Sequence, residues 1–161
     1  MFGGCTTVWD LKARLCEQLD AQVGAAGCIV SRVIGDVLVQ VAEHAPDGRS
    51  FQLGRGFLVS QFPTTAEVLD CGEASAVSLD DPAADPAEAA VLRDLAVRGV
   101  LMLALHDGTT SWGLVELYRL DPAAFAPDDI QRAGQIVRNA EARLGVILDT
   151  RRRDGRPPPA G

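Results

Sequence analysis

Two apolar, strand-length runs dominate the second half of the chain and predict a β-hairpin. They cover residues 100–106 and 111–119 and flank Asp107-Gly108, a dipeptide typical of tight turns between strands. Nearly every position in both runs is apolar, which predicts a strand pair that is covered on both faces. His106 and Glu116 interrupt this apolar block, and they are therefore candidates for a ligand site.

The first half of the chain begins with helical periodicity and continues with strands. Apolar residues at spacings of three and four predict a first helix that is capped by Thr7 and ended by Gly24. Two strand-like runs, 28–34 and 37–42, flank a turn at Gly35 and predict a second hairpin.

The middle of the chain is less regular. Residues 51–56 fit either a short strand or a loop. Thr64 and Glu67 have the spacing of a capping box, which predicts a helix over 65–71. A short edge strand is predicted over 74–79.

The acidic, turn-rich segment 80–86 has two interpretations. Its carboxylates suggest a calcium or magnesium site, but the glycine and the ligand spacing of a known loop are missing. A helix start is the better interpretation, with Asp85 as the cap, Pro86 in the first position and Glu88 completing a capping box. This helix should end near Gly99.

A closing helix is predicted from Pro127, with an apolar stripe about five turns long. The stripe consists of Ile130, Ala133, Val137, Ala140, Leu144 and Ile147. It has two open interpretations: a face of the core, or a homodimer interface. The dimer hypothesis uses Leu11, Leu15, Ile130, Ala133, Val137, Ala140 and Leu144.

Length and charge limit the classes of protein to consider. The chain has 161 residues, which suits one domain over 7–149, with a flexible lead-in over 1–6 and a disordered Arg/Pro-rich tail over 150–161. The net charge of −7 disfavours binding to nucleic acid or to an anionic membrane. The chain start lacks a signal-peptide pattern and no apolar run is long enough to cross a bilayer, so we expect a cytoplasmic protein.

The sequence contains no catalytic or metal-binding signature. Its four cysteines are irregularly spaced without a Cys-x-x-Cys pair, so buried thiols are a better explanation than zinc. No serine or cysteine lies in a nucleophile motif, and Gly54-Arg55-Gly56 lacks the third glycine of a dinucleotide fingerprint. The expectation is a protein that is not an enzyme and has no metal site, with any cofactor unknown.

The order of elements predicts an α+β sandwich with a central antiparallel sheet. Several phrases within 8–149 resemble a GAF domain, a small-molecule-sensing module of signalling proteins. They include Phe62-Pro-Thr-Thr-Ala-Glu-Val-Leu69, Leu79-Asp-Asp-Pro82, Met102-Leu-Ala-Leu105, Trp112-Gly-Leu-Val-Glu-Leu-Tyr118 and Phe125-Ala-Pro-Asp-Asp-Ile130.

The resemblance implies a PAS-like α/β/α fold with five or six strands, commonly in the order 2-1-5-4-3. Terminal helices cover one face, and short helices and loops close a pocket on the other. The family's signatures for cyclic nucleotides, bilins and free methionine sulfoxide are missing from this sequence. Ala126 replaces the usual capping Ser/Thr, which should weaken the last helix start by about 1 kcal/mol.

Three functional hypotheses follow. The first is a sensor with a pocket drawn from Phe51, Phe57, Gln61, Val68, Arg93, Met102, His106, Trp112, Leu114 and Glu116. In it, Glu116 contacts a ligand or forms an ion pair with Arg93 or Arg98. The second is a ligand-free module that forms a homodimer or docks on a histidine kinase or another signalling partner. The third, least favoured, is a thiol redox sensor or enzyme that uses Cys28 or Cys71.

Alternation assigns the two faces of the 100–119 hairpin. Leu101, Leu103 and Leu105 share one face, opposed by Val100, Met102, Ala104 and His106. If the leucine face coincides with that of Gly113, Val115 and Leu117, it carries the terminal helices. The pocket side is then lined by Met102, His106, Trp112 and Glu116, an alignment that assumes a turn of odd length.

Overall fold

The computed structural model describes residues 1–121 and 125–155, and all structural statements concern this part of the chain. Its helices are α1 (Val8–Val23), α2 (Pro63–Cys71), α3 (Pro86–Asp94) and α4 (Pro127–Arg153). Its strands are β1 (Gly27–Ile34), β2 (Val37–His44), β3 (Gly56–Leu58), β4 (Ser75–Ser78), β5 (Gly99–Asp107) and β6 (Thr110–Arg119). A short 3-10 helix, Val59–Gln61, joins β3 to α2.

One antiparallel sheet separates two hydrophobic clusters. Its strand order is β3-β2-β1-β6-β5-β4, so the predicted α+β sandwich with five or six strands is confirmed, and the number is six. The larger cluster joins α1 and α4 to one face of the sheet, and we call this the terminal-helix face. The smaller cluster joins α2 and α3 to the opposite face, through residues such as Val68 and Leu92, and we call this the inner face.

The β5–β6 hairpin has a two-residue turn at 108–109 followed by a β-bulge. Asp107 pairs with Thr110, but the register shifts so that Leu105 faces Gly113, which leaves Trp112 as the extra residue. The shift brings the leucine faces into coincidence, as predicted, although the turn has an even length. It also turns Trp112 into the terminal-helix cluster, so its predicted place on the pocket side is wrong.

The starts of the inner-face helices differ in part from prediction. Helix α2 begins at Pro63 rather than at residue 65, because a proline in the first turn needs no hydrogen-bonded N–H. Thr64 is not its cap, since the Thr64 hydroxyl donates to Asp85 at 3.1 Å. Asp85 caps α3 by accepting from Ala87 N at 2.9 Å, as predicted. Glu88 does not complete a box there, because its carboxylate accepts from Thr65 instead.

The terminal helices use their apolar stripes inside one chain. Thr7 caps α1 by accepting from Asp10 N at 3.1 Å, and Gly24 ends it in a left-handed conformation, both as predicted. Helices α1 and α4 run antiparallel, since Arg143 donates to Cys5 O and Arg132 to Gln22 O.

The residues predicted to form a dimer interface are instead buried within the single chain. Six of them are at most 3% exposed within the single chain and Ile130 packs against the same cluster. Their apolar area is already used in the core, so they cannot serve a contact between copies. The six are Leu11, Leu15, Ala133, Val137, Ala140 and Leu144.

Some described residues near the chain ends pack into the core or form helix. Phe2 and Cys5 in the expected lead-in are each 3% exposed, because they pack into the terminal-helix cluster. Helix α4 continues to Arg153, with Arg152 paired to Asp107 and Asp149, so the first part of the predicted tail is helical. Residues 156–161 of that tail lie outside the described residues.

Helix α4 starts without a side-chain cap at Ala126, as expected. The Asp129 carboxylate accepts from Ala126 N at 3.3 Å and from Arg119 at 2.8 Å. Within the described ranges, no helix has the length and apolar character to cross a membrane.

Candidate functional site

A small cavity lies on the inner face, between the sheet and the helices α2 and α3. The space open to the centre of a water molecule is about 20 Å³, which is room for one water. The walls come from β1, β2, β3, β6, α2 and α3. The lining consists of Ser31, Leu38, Gln40, Phe57, Phe62, Thr65, Glu88, Val91, Glu116 and Tyr118.

Strand pairing places the polar lining residues together. Ser31 of β1 faces Gln40 of β2 across the sheet, and both side chains are at most 5% exposed. On β6, Glu116 and Tyr118 lie two positions apart, so they share the inner face. The result is a polar cluster set into the floor of an otherwise apolar cluster.

Glu116 has a phenol, not a guanidinium, as its partner. Tyr118 Oη donates to Glu116 Oε1 at 3.0 Å, whereas Arg93 is exposed and Arg98 pairs with Asp80. Desolvation and the nearby charge of Glu88 raise the pKa of Glu116 from 4.5 to about 7, against the lowering effect of the Tyr118 hydrogen bond. Of the two alternatives predicted for Glu116, the ion pair with Arg93 or Arg98 is therefore wrong.

Glu88 closes the same cavity from α3. Its side chain accepts a hydrogen bond from Thr65 of α2, and the residue is only 4% exposed. Burial raises the pKa of Glu88, with a further increase from Asp85 and an opposing effect of the Thr65 hydrogen bond. Two carboxylates thus face one cavity whose lining contains no lysine, arginine or histidine.

Aromatic rings surround these carboxylates. Phe51 stacks on Tyr118 with ring centroids 5.3 Å apart and holds the phenol in place. Phe57 and Phe62 form an edge-to-face pair at 5.7 Å, and both are half-buried at the cavity wall. Outside the lining, the exposed Arg55 lies over the Phe57 ring at 5.0 Å.

The residues predicted for the pocket have several different locations. Phe57 and Glu116 line the cavity. Phe51, Val68, Met102 and Leu114 are buried in the inner-face cluster around it. Gln61 and Arg93 are exposed outside it.

His106 lies away from the cavity, at the edge of β5. Glu141 of α4 accepts from both the His106 backbone N–H and the ring Nδ1, each at 2.8 Å. The pairing ties His106 to α4, with its ring beside Gly72 and outside the cavity lining, so its predicted position in the pocket is wrong.

Sequence reasoning missed most of the polar lining. Ser31 and Gln40 interrupt the apolar runs of β1 and β2 just as Glu116 interrupts β6, and this signal was present in the sequence. Glu88 gave no such signal, because it fits the capping box predicted with Asp85, and Thr65 is simply the first residue of the helix predicted over 65–71.

The cysteines and the second histidine lie elsewhere. Cys28 is fully buried beside Cys16, and desolvation raises the pKa of its thiol well above the usual value, which disfavours a reactive thiolate. Cys71 is exposed. His44 contacts Asp20 of α1, whose buried carboxyl has a pKa raised to about 6 by desolvation, against the lowering effect of His44. The described residues contain no group of three or more His, Cys, Asp or Glu that could hold a metal ion.

Sequence comparison decides the family. The profile of the GAF domain matches residues 11–144, which is most of the chain. The chain belongs to the GAF domain family. The observed strand order agrees with that expected for a GAF domain, once β3 is counted as an added edge strand. No curated protein sequence matches the chain.

Solved GAF domains share this fold at low sequence identity. The GAF domain of PixJ from Thermosynechococcus elongatus, in its blue-light-absorbing form, is 15% identical, with a TM-score of 0.79 over 91% of this chain and 90% of that one. The GAF domain of a two-component sensor histidine kinase from Bacillus halodurans is 17% identical, with a TM-score of 0.73 over 94% and 100%.

A longer solved structure is also similar. The chromophore-binding domain of a Stigmatella aurantiaca bacteriophytochrome is 14% identical, with a TM-score of 0.72 over 91% of this chain. This chain spans about half of that one, since the match covers 55% of it.

Proposed function

We propose that this GAF domain is a regulatory sensor that binds a small molecule at the inner-face cavity and signals through its terminal helices. The observation that carries this proposal is the polar cluster of buried Ser31, Gln40 and Glu88 with half-buried Glu116 around one cavity. Buried polar groups cost stability unless they are satisfied, so a cluster of them in an apolar layer is typical of a recognition site.

The sheet provides a direct route from the cavity to the terminal helices. Glu116 points to the inner face, while its neighbours Val115 and Leu117 pack into the terminal-helix cluster. A ligand that displaces Glu116 would act on β6, which is paired with the strands β1 and β5 that carry α1 and α4. Because packed interfaces do not deform continuously, a small shift of β6 changes the packing of these helices.

A sensor of this type needs an opening of the cavity when it binds its ligand. A volume of about 20 Å³ is far below that of a pocket for a whole small molecule. Phe57 lies on the three-residue edge strand β3 and Phe62 at the start of α2, so both can move without breaking the central sheet.

The test is a thermal-shift screen against a metabolite library, with two variants of the chain. Ser31→Val fills the cavity with methyl groups, and Thr110→Val makes a similar change at an exposed position of β6. We expect a ligand to stabilise the native chain and Thr110→Val but not Ser31→Val. Hydrogen exchange in α1 and α4 should change on binding. Ligands that still stabilise Ser31→Val, or a library without any binder, would contradict the proposal.

A partner-docking function is the second candidate. Trp9 of α1 and Leu53 are 67% and 51% exposed, and both line one surface groove with Val41 and Ala42. Exposed apolar residues around a groove are typical of protein contacts. If this function holds, the native chain forms a dimer or a complex with a sensor kinase, and Trp9→Ala weakens it. A monomer with no kinase complex would end this hypothesis.

A further inference from the structure

The chemistry of the cavity lining restricts the ligand that the proposed sensor can bind. Glu88 and Glu116 present two carboxylates, and no basic side chain belongs to the lining. Charged groups that share a buried site need an opposite charge or a proton. The other ionisable groups near Glu116 are Tyr118 and the Cys28 thiol, and neither supplies a positive charge.

A hydroxyl group also faces the cavity beside these carboxylates. Ser31 is 2% exposed and lines the cavity, yet its Oγ forms no hydrogen bond within residues 1–121 and 125–155. Such buried hydroxyls normally have a partner. Ser31 Oγ and the two carboxylates provide at least three acceptors around a space of about 20 Å³.

The aromatic part of the lining favours a cation as well. The faces of phenyl and phenol rings attract positive charge, and three rings line the cavity: Phe57, Phe62 and Tyr118. The same preference is already visible at the outer surface, where the Arg55 guanidinium lies over Phe57. Carboxylates and ring faces together form an environment that repels anions.

Size and donor count then select one kind of cation. A primary ammonium group is about as large as a water molecule, and its three N–H donors match the acceptors. A quaternary ammonium has no donor and needs more space. A divalent metal ion fits less well, because the described residues contain no group of three or more His, Cys, Asp or Glu that could hold one.

We propose that the ligand of the sensor is a primary alkylammonium, with its head between Glu88 and Glu116 and its carbon chain directed between Phe57 and Phe62. The inference rests on the proposed function and specifies the ligand class. The ammonium ion and a small alkylamine share this head chemistry. A site with the Phe57–Phe62 exit should prefer the amine, because the alkyl chain adds buried apolar area.

Calorimetric titration of the native chain with n-butylammonium tests the proposal. At about pH 8 the n-butylammonium probe is protonated, and Glu116, with a pKa of about 7, is mostly ionised. The neutral probe n-butanol matches the carbon chain, tetramethylammonium carries charge without a donor, and ammonium chloride supplies the head alone. We expect n-butylammonium to bind more tightly than each of these by about tenfold or more, because a charge-assisted hydrogen bond and apolar burial are both required.

Two variants separate the site from the rest of the surface. Glu116→Gln should weaken n-butylammonium binding by about tenfold or more, since it removes one charged acceptor. Glu67→Gln, an exposed position of α2, should leave binding unchanged. Equal binding of n-butanol and n-butylammonium, or binding that Glu116→Gln does not weaken, overturns the ammonium proposal.

The experiments distinguish a failure of the ammonium proposal from a failure of the proposed sensor function. If the metabolite screen finds a neutral or anionic ligand whose binding Ser31→Val abolishes, the ammonium class is wrong and the sensor function stands. If neither amines nor any library compound binds at the cavity, both proposals are overturned.

Discussion

Tyr118 Oη donates a hydrogen bond of 3.0 Å to Glu116 Oε1, two positions away on the same strand. Tyr118 is 2% exposed and stacks on Phe51, so the phenol cannot turn to another partner without disturbing that packing. The relationship explains how a carboxylate is kept in the inner face without an arginine or a lysine. The stability of the ionised form of Glu116 therefore depends on the hydroxyl group of Tyr118.

Tyr118→Phe should therefore destabilise the fold in a pH-dependent way. At about pH 8 Glu116 is ionised and loses a charge-assisted hydrogen bond, which should cost about 1.5–3 kcal/mol. At about pH 5 the carboxyl is protonated and the cost should be smaller. Urea unfolding at both pH values measures the difference. Combining the change with Glu116→Gln should remove the pH dependence, and an equal cost at both pH values would contradict the mechanism.

Glu116→Gln alone should stabilise the protein above neutral pH. The folded-state pKa of about 7 lies above the ordinary 4.5, so folding favours the protonated carboxyl. This stability contribution is fully present below pH 4.5 and is lost as the pH rises through 7. The loss amounts to about 3 kcal/mol, because each pKa unit corresponds to about 1.4 kcal/mol.

Unfolding free energies of the native chain and Glu116→Gln, compared across this pH range, measure that loss. The difference between the two proteins should grow with pH. Glu67→Gln is a suitable control, since Glu67 is exposed. A difference that stays constant with pH would show that Glu116 keeps an ordinary pKa.

Gly113→Ala should destabilise the sheet. A Cβ at Gly113 would lie 2.3 Å from the backbone oxygen of Ser31, and backbone cannot move aside without disrupting the pairing of β1 with β6. We expect a loss of about 2 kcal/mol or more, as for overpacked cores. Gly145→Ala is the matched control in α4, where a Cβ meets nothing within 4 Å. It should stabilise the helix by about 0.5–1 kcal/mol. Equal effects of both changes in thermal unfolding would be incompatible with the close approach.

Ala133→Glu should unfold the protein rather than alter its oligomeric state. Ala133 is fully buried under α4, so the change places an unpaired charge in the terminal-helix cluster. The expected cost is about 3–5 kcal/mol, as for an uncompensated buried charge. Gln131→Glu changes an exposed position of the same helix and should have little effect. Circular dichroism and light scattering distinguish the outcomes. If Ala133→Glu stays folded and its mass in solution falls from that of a dimer to that of a monomer, the predicted dimer interface would be supported after all.

Local patterns in the sequence were sufficient for most of the architecture. The spacing of apolar residues predicted α1, α4 and the central strands, because period 3.6 and period 2 are local properties of the backbone. Thr7 and Asp85 were recognised as caps, since a cap acts within one turn of its helix. The same patterns indicated that Glu116 breaks an apolar strand, and they placed it on the pocket side.

Only the tertiary structure decided which polar groups meet and what the apolar stripes cover. A single bulge moved Trp112 to the other face, and no local pattern encodes that shift in register. Thr65 and Glu88 are 23 residues apart in sequence and lie on two different helices, so their pairing depends on how the helices pack. Whether Ala133 faces its own sheet or a second copy depends likewise on packing. Periodicity determines that a face is apolar, and the packing of the whole chain determines what that face contacts.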